Sequence, residues 1–268
     1  DLTGPTRDVA APDLNTNPQV MAWLMDQYSK YHGHSPAVVT GKPVELYGSR
    51  GRDSATARGL LLVCREILRD IGMQVAGTRF AIQGFGNVGS HATRLLHEDG
   101  GLIVACGDVH GAVYNPAGLD VPALFEHVKG HGTVQGFPGG QAIAPEELVL
   151  ADCDVLIPAA LEGALTAANA PMVRAKLILE GANAPTEPEA DELFEKRGII
   201  VVPDILANRT PLNPPRRDVI PPALYIHSYR PCHALTLPLP AAPTQSFNCR
   251  LSRRDPARPQ LTMIRSRL

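Results

Sequence analysis

Apolar positions along the chain follow two rhythms: a helical period near 3.6 residues, and short unbroken apolar runs. Val20, Met21, Trp23, Leu24 and Tyr28 recur at mostly helical spacing. They follow Asn17-Pro18, a polar cap and a proline at the first helical position, and predict an amphipathic helix over 18–29. A Gly-rich polar stretch, 40–53, precedes a second predicted helix over 54–70 that stops near Gly72. Beyond it the pattern is regular. Strands are predicted at 79–83, 102–106, 154–157, 176–179 and 199–202, and helices at 88–98, 119–128, 145–150, 167–173 and 188–196. Apolar runs buried on both faces and alternating with helices predict an α/β fold, a doubly wound parallel sheet with helices on both sides.

Composition adds a boundary. The net charge of −2 conceals −10 over residues 1–208 and +8 over 209–268. All 24 glycines lie in the first part, whereas the last 60 residues hold 10 Arg, no Lys and 11 of the 25 prolines. Proline breaks helices and central strands, so an irregular C-terminal tail is expected after Asn208. Three readings of that tail stay open: a basic arm for an acidic partner, a disordered extension, or an out-of-frame translation. The last two outweigh the first, and no nucleic-acid partner is expected.

The longest uncharged apolar runs, such as 59–64, fall far short of the roughly 20 residues of a membrane span, so no membrane partner is expected. No cationic stretch followed by an apolar one opens the chain, which argues against a secretory signal, and a first residue of Asp implies a processed or lost N-terminus. Five widely spaced cysteines without a C-x-x-C pair fit reduced thiols and a cytoplasmic location. The nine histidines form no H-E-x-x-H, and no metal is expected.

The strongest chemical signal is Gly84-Phe85-Gly86-Asn87-Val88-Gly89, which closes the strand at 79–83 and opens the helix at 88–98. In that context the first glycine permits a tight turn, the second lets the backbone approach a pyrophosphate, and the third brings helix and strand close. Free N–H groups at the helix start face the phosphates. The next strand ends at Asp108, 19 residues after Gly89, where a carboxylate would accept hydrogen bonds from the adenosine ribose and repel a 2′-phosphate. NAD is therefore favoured as cofactor, with NADP left open.

With these motifs in place, the chain resembles the glutamate dehydrogenase family of amino-acid dehydrogenases (Glu/Leu/Phe/Val type). The resemblance runs from about Asp8 to Asn208. It rests on 7–17 (RDVAAPDLNTN), 39–43 (VTGKP), 51–56 (GRDSAT), 84–89, 157–160 (IPAA), 179–183 (LEGAN) and 201–208 (VVPDILAN). It implies a Rossmann-like NAD(P)-binding domain over 39–208, a remnant of the substrate and assembly domain over 1–38, and the tail over 209–268. It also implies NAD(P)-linked oxidative deamination of L-glutamate to 2-oxoglutarate and ammonia in a homo-oligomer, commonly a hexamer.

Carried over by position, Asp13 matches the catalytic aspartate that shuttles protons. Arg52, Thr56, Ala159, Ala160 and Asn183 match cofactor-contacting positions, with Asn87 inside the glycine turn, and Asn208 matches a substrate-facing one. Departures matter as well. The family's catalytic and carboxylate-binding lysines belong upstream of the position of Asp13, and Lys42 belongs to a different motif. After Asn208, Arg209-Thr-Pro-Leu replaces the usual Gly-Gly-Val segment. Tyr47 and Ala57 stand where glycine is usual, and Gly163 where Asn is usual. Stabilisation of developing negative charge by a lysine is among the largest contributions to such catalysis, so little or no glutamate oxidation is expected from these 268 residues alone. Two alternatives remain: a non-catalytic dinucleotide-binding or assembly partner, and a leucine, phenylalanine or valine dehydrogenase of the same family.

Overall fold

The computed structural model describes residues 3–13 and 16–208; the expectations for 209–268 and for Asn15 lie outside the described residues. The chain opens with helix α1 (Pro18–His32), whose N-terminus is capped as predicted: Asn17 Oδ1 accepts a hydrogen bond from the Val20 amide at 3.1 Å. Its buried residues Met21 and Met25 pack with Val38 and Val39 in a small core, edged by Ala10, Tyr28 and Leu46. That core straddles the expected division at 38/39.

Helix α2 (Ala55–Asp70) follows, and then the sheet begins. Seven strands, β1 (Arg79–Gln83), β2 (Leu102–Gly107), β3 (Ala112–Tyr114), β4 (Gln141–Ile143), β5 (Val155–Pro158), β6 (Leu177–Leu179) and β7 (Ile200–Val202), form one sheet in the order β4-β3-β2-β1-β5-β6-β7. The five strands β2-β1-β5-β6-β7 are parallel, and β3 and β4 extend the β2 edge antiparallel. The sheet is thus doubly wound as expected, with an antiparallel edge that the sequence did not reveal. The equally short β6 and β7 are unbroken aliphatic runs, whereas β3 and β4 include Tyr114 and Gln141 and are flanked by glycines 111, 139 and 140.

One face carries α2, α3 (Asn87–Glu98), α4 (Val121–His131) and α6 (Asp204–Ala207). Leu60, Leu68, Leu96 and Leu124 meet Phe80, Ile82, Ile157 and Leu179 there. The other face carries α5 (Pro188–Lys196) with two short 3-10 turns, and buries Phe194, Leu148 and Leu156. Those turns, Pro145–Leu150 and Ala170–Met172, replace two predicted α-helices. Neither segment is long enough to repay helix nucleation, and Pro171 removes a donor from the second.

Strand β2 holds an irregularity. Phe80 pairs with Ile103, but the next residue, Ala81, pairs with Ala105, leaving Val104 as an extra residue in β2. Facing changes there. Ile103 and Cys106 belong to the α3 side, Val104 and Ala105 to the α5 side.

Candidate functional site

Strand β1 delivers the chain into the glycine turn. Gly84 adopts φ +101, and a Cβ there would lie 2.6 Å from the Ala159 carbonyl oxygen and 3.0 Å from the Ala160 nitrogen. A Cβ on Gly89 would lie 1.9 Å from the Gly84 carbonyl oxygen, so that position admits only glycine. At Gly86 the same construction meets nothing within 4 Å. Gly86 is also the N-cap of α3 and offers no side-chain cap, so the first amides of a 12-residue helix open into that space. Asn87 is exposed beside it, while Thr93 pins the helix from within by donating to the Gly89 carbonyl at 2.8 Å. Phe85 and Val88 turn their side chains to the core, the Phe85 ring 5.2 Å from that of Phe125, and so present backbone to the opening. A bare second glycine at an uncapped helix start fits a dinucleotide diphosphate.

Arg52 and Thr56 flank the start of α2, which packs beside α3. Asp53 and Arg58, from the same region, lie close enough to His91 in α3 to act on its charge, and burial followed by the Arg94 charge lowers the pKa of that imidazole.

Asp108, at the end of β2, is engaged within the protein. Its Oδ1 accepts hydrogen bonds from the amides of His110 at 2.8 Å and Gly111 at 3.1 Å. Its Oδ2 accepts from the Thr133 hydroxyl at 2.7 Å and the Val134 amide at 2.8 Å. Burial would raise its pKa, but the four hydrogen bonds together outweigh burial and hold the carboxyl below the usual aspartate range.

An asparagine pair lies beyond the ends of β6 and β7. Asn208 Nδ2 donates to Asn183 Oδ1 at 3.1 Å, and the pair lines an open depression of about 710 Å³ with Asp204 and Ile205. Two acids missing from the sequence-based candidates hold this corner. Asp204 Oδ2 accepts from the Ala184 amide at 2.8 Å, fixing a residue with φ +42 next to Asn183. Glu180, only 6% exposed, accepts from the Asp204 amide at 2.8 Å. Burial, with the neighbouring Asp204 and Asp191 charges, raises the Glu180 pKa. The one hint in the sequence was a charged residue directly after the apolar run 177–179.

Asp13 lies on an exposed segment that runs beside 39–41: Ala10 bridges Val39, and the Thr40 amide donates to the Ala10 carbonyl at 2.8 Å. The Lys42 ammonium donates to the Val39 carbonyl at 2.8 Å and so braces that turn. The glycine turn, Ala159 and Ala160 thus form one assembly, and Asn183 with Asn208 a second. Asp13 is placed by a different segment. Among the described residues no three His, Cys, Asp or Glu side chains converge as a metal site, and no helix is long and apolar enough to cross a membrane.

A family model described as Glutamate/Leucine/Phenylalanine/Valine dehydrogenase matches residues 48–210, and one for the dimerisation domain of Glu/Leu/Phe/Val dehydrogenases matches 1–30. A glutamate dehydrogenase from Thermotoga maritima is 52% identical over 210 residues, covering 77% of this chain and 50% of that protein. Among solved structures, a hetero-hexameric glutamate dehydrogenase from Thermus thermophilus in a Leu-bound form superposes with a TM-score of 0.73 at 39% identity, covering 78% of this chain and 50% of that one. Glutamate dehydrogenase from Peptoniphilus asaccharolyticus gives 0.62 at 35%, covering 77% and 49%. The chain spans about half the length of the relatives it matches. On fold, glycine turn and similarity together, it belongs to the Glu/Leu/Phe/Val dehydrogenase family of oxidoreductases.

Proposed function

We propose that this chain is the dinucleotide-binding half of an NAD(P)-linked enzyme that converts L-glutamate to 2-oxoglutarate and ammonia. The observation that carries the reading is the open space at Gly86, set against the uncapped start of α3. The names of the similar proteins favour glutamate as the substrate. Gly84 to Gly89 would hold the diphosphate through backbone amides, and Arg52, Thr56, Ala159 and Ala160 would border the bound cofactor. A nicotinamide held there would supply the acceptor for the hydride of the amino-acid Cα. Asp13 moves protons between the amine nitrogen and water as nitrogen leaves as ammonia, a role suited to a carboxylate within hydrogen-bond reach. The paired amides of Asn183 and Asn208 order the cleft, Asn208 toward the substrate. The lysine that would stabilise negative charge on the substrate oxygens belongs, by resemblance, before Asp13. Full-length protein would assemble as a homo-oligomer through the region matching the dimerisation model.

Calorimetric titration of the chain with NAD and with NADP tests the nucleotide site. Binding by wild type, and at least about tenfold weaker binding by Gly86→Val, is expected from a side chain filling the diphosphate space. Absence of binding at millimolar nucleotide would overturn the reading. These 268 residues alone should release little NADH from glutamate, and a rate normal for the family would refute the proposed division of labour.

A further inference from the structure

We infer that Asp108 is a positioning residue: its carboxylate ties the end of β2 to the loop after α4 and shapes the adenosine end of the nucleotide site without itself ligating the ribose. The inference rests on the nucleotide-binding reading above, and its geometry is independent of it. An ionised carboxylate has about four acceptor positions. Here His110, Gly111, Thr133 and Val134 fill them at 2.7–3.1 Å. A ribose hydroxyl could bind only by displacing one of these donors, two of which come from the Asp108 turn itself.

The surroundings are built around the same tie. The Asp108 amide donates to the Gly111 carbonyl at 2.8 Å, closing the turn. The Thr133 hydroxyl, while donating to Asp108, accepts from the Gln135 amide at 3.0 Å. The Gln135 side chain covers Gly111, where a Cβ would come within 3.0 Å of its Cγ, and the Gln135 carbonyl lies 3.0 Å from His127 Nε2 in α4. Val134 is fully buried in the core on the α3 side. Turn 108–111, loop 133–135 and α4 therefore interlock through one carboxylate. Discrimination between NAD and NADP must then come from groups around this latch, and removal of the carboxylate should affect both nucleotides alike.

The test compares Asp108→Asn, Thr133→Val and Thr133→Ser in the full chain, reading NAD and NADP affinity by calorimetry and amide hydrogen exchange at 110, 111 and 134. Asp108→Asn and Thr133→Val should each speed exchange at these amides. Both should lower the two affinities in parallel by roughly tenfold, the cost of one charge-assisted hydrogen bond. Thr133→Ser, which keeps the hydroxyl, should restore both readouts. If Asp108→Asn trades NAD affinity for NADP affinity while Thr133→Val leaves both unchanged, Asp108 is a ribose ligand and the inference fails. Unchanged exchange in Asp108→Asn overturns it as well. Should wild type bind neither nucleotide, the functional reading falls, while the exchange measurements still decide whether Asp108 is a latch.

Discussion

Tyr47 closes a short 3-10 turn with φ +66, 73% exposed, its ring edge-on to His34 at 5.8 Å. The left-handed region costs a side-chain-bearing residue about 1–2 kcal/mol, and the resembled family carries glycine here. Tyr47→Gly should therefore stabilise the chain by about 1 kcal/mol in urea unfolding, net of the greater entropy of an unfolded glycine. Two carboxylates respond oppositely to their settings. Asp108, held below its ordinary range, contributes stability that is present above the unfolded pKa and lost as pH falls through its folded value. The stability gap between wild type and Asp108→Asn should thus shrink in acid, below about pH 4. Glu180, raised by burial, opposes folding increasingly as pH climbs from its unfolded pKa toward its folded one. Glu180→Gln keeps an acceptor for the Asp204 amide, so it should flatten that loss, which unfolding between about pH 4 and pH 7 would detect. Burial pushes the thiols of Cys64, Cys106 and Cys153 up to about 12. A thiol reagent at pH near 8 should leave all three unmodified in native protein, as peptide mapping would reveal.

Elements that carry a helical period or an unbroken apolar run were legible beforehand. Helices α1, α2 and α5 and the apolar strands β1, β5, β6 and β7 fall close to their predicted places, because each buries a face or a whole run and the sequence has to carry that pattern. What escaped was set by neighbours. Strands β3 and β4 exist through pairing at the sheet edge, the 3-10 turns through prolines in short segments, and the Val104 bulge through the register of β1. The site divides the same way. The glycine turn could be read from local sequence because its demands are steric and local. The engagement of Asp108 could not, since its partners Thr133 and Val134 lie 25 and 26 residues away. Gly89→Ala, with its Cβ 1.9 Å from the Gly84 oxygen, would force β1 and α3 apart, and should cost at least about 3 kcal/mol or abolish soluble expression.

Across the whole sheet, the candidate residues from Gly84 onward gather where parallel strands end. Gly84 follows β1, Asp108 β2, Ala159 and Ala160 β5, Asn183 β6, and Asp204 with Asn208 β7. Strand β1 sits between β2 and β5, so the chain crosses to opposite sides of it, and at such a point adjacent connections diverge and leave a crevice for ligands. That placement follows from winding order and explains why residues more than 120 positions apart, Gly84 and Asn208, serve one edge.

Val104, which has no partner in β1, works as a half-period phase shift. Every residue after it in β2 is turned over relative to an unbroken strand, which sends Cys106 toward α3 and lets Asp108 meet the loop beyond α4. Deleting Val104 would restore unbroken pairing with β1 while leaving Cys106 and Asp108 on their present sides, because Ile103 and Ala105 already face opposite layers. Related chains should therefore tolerate the loss of this one residue, and length differences in the strand should fall at its position.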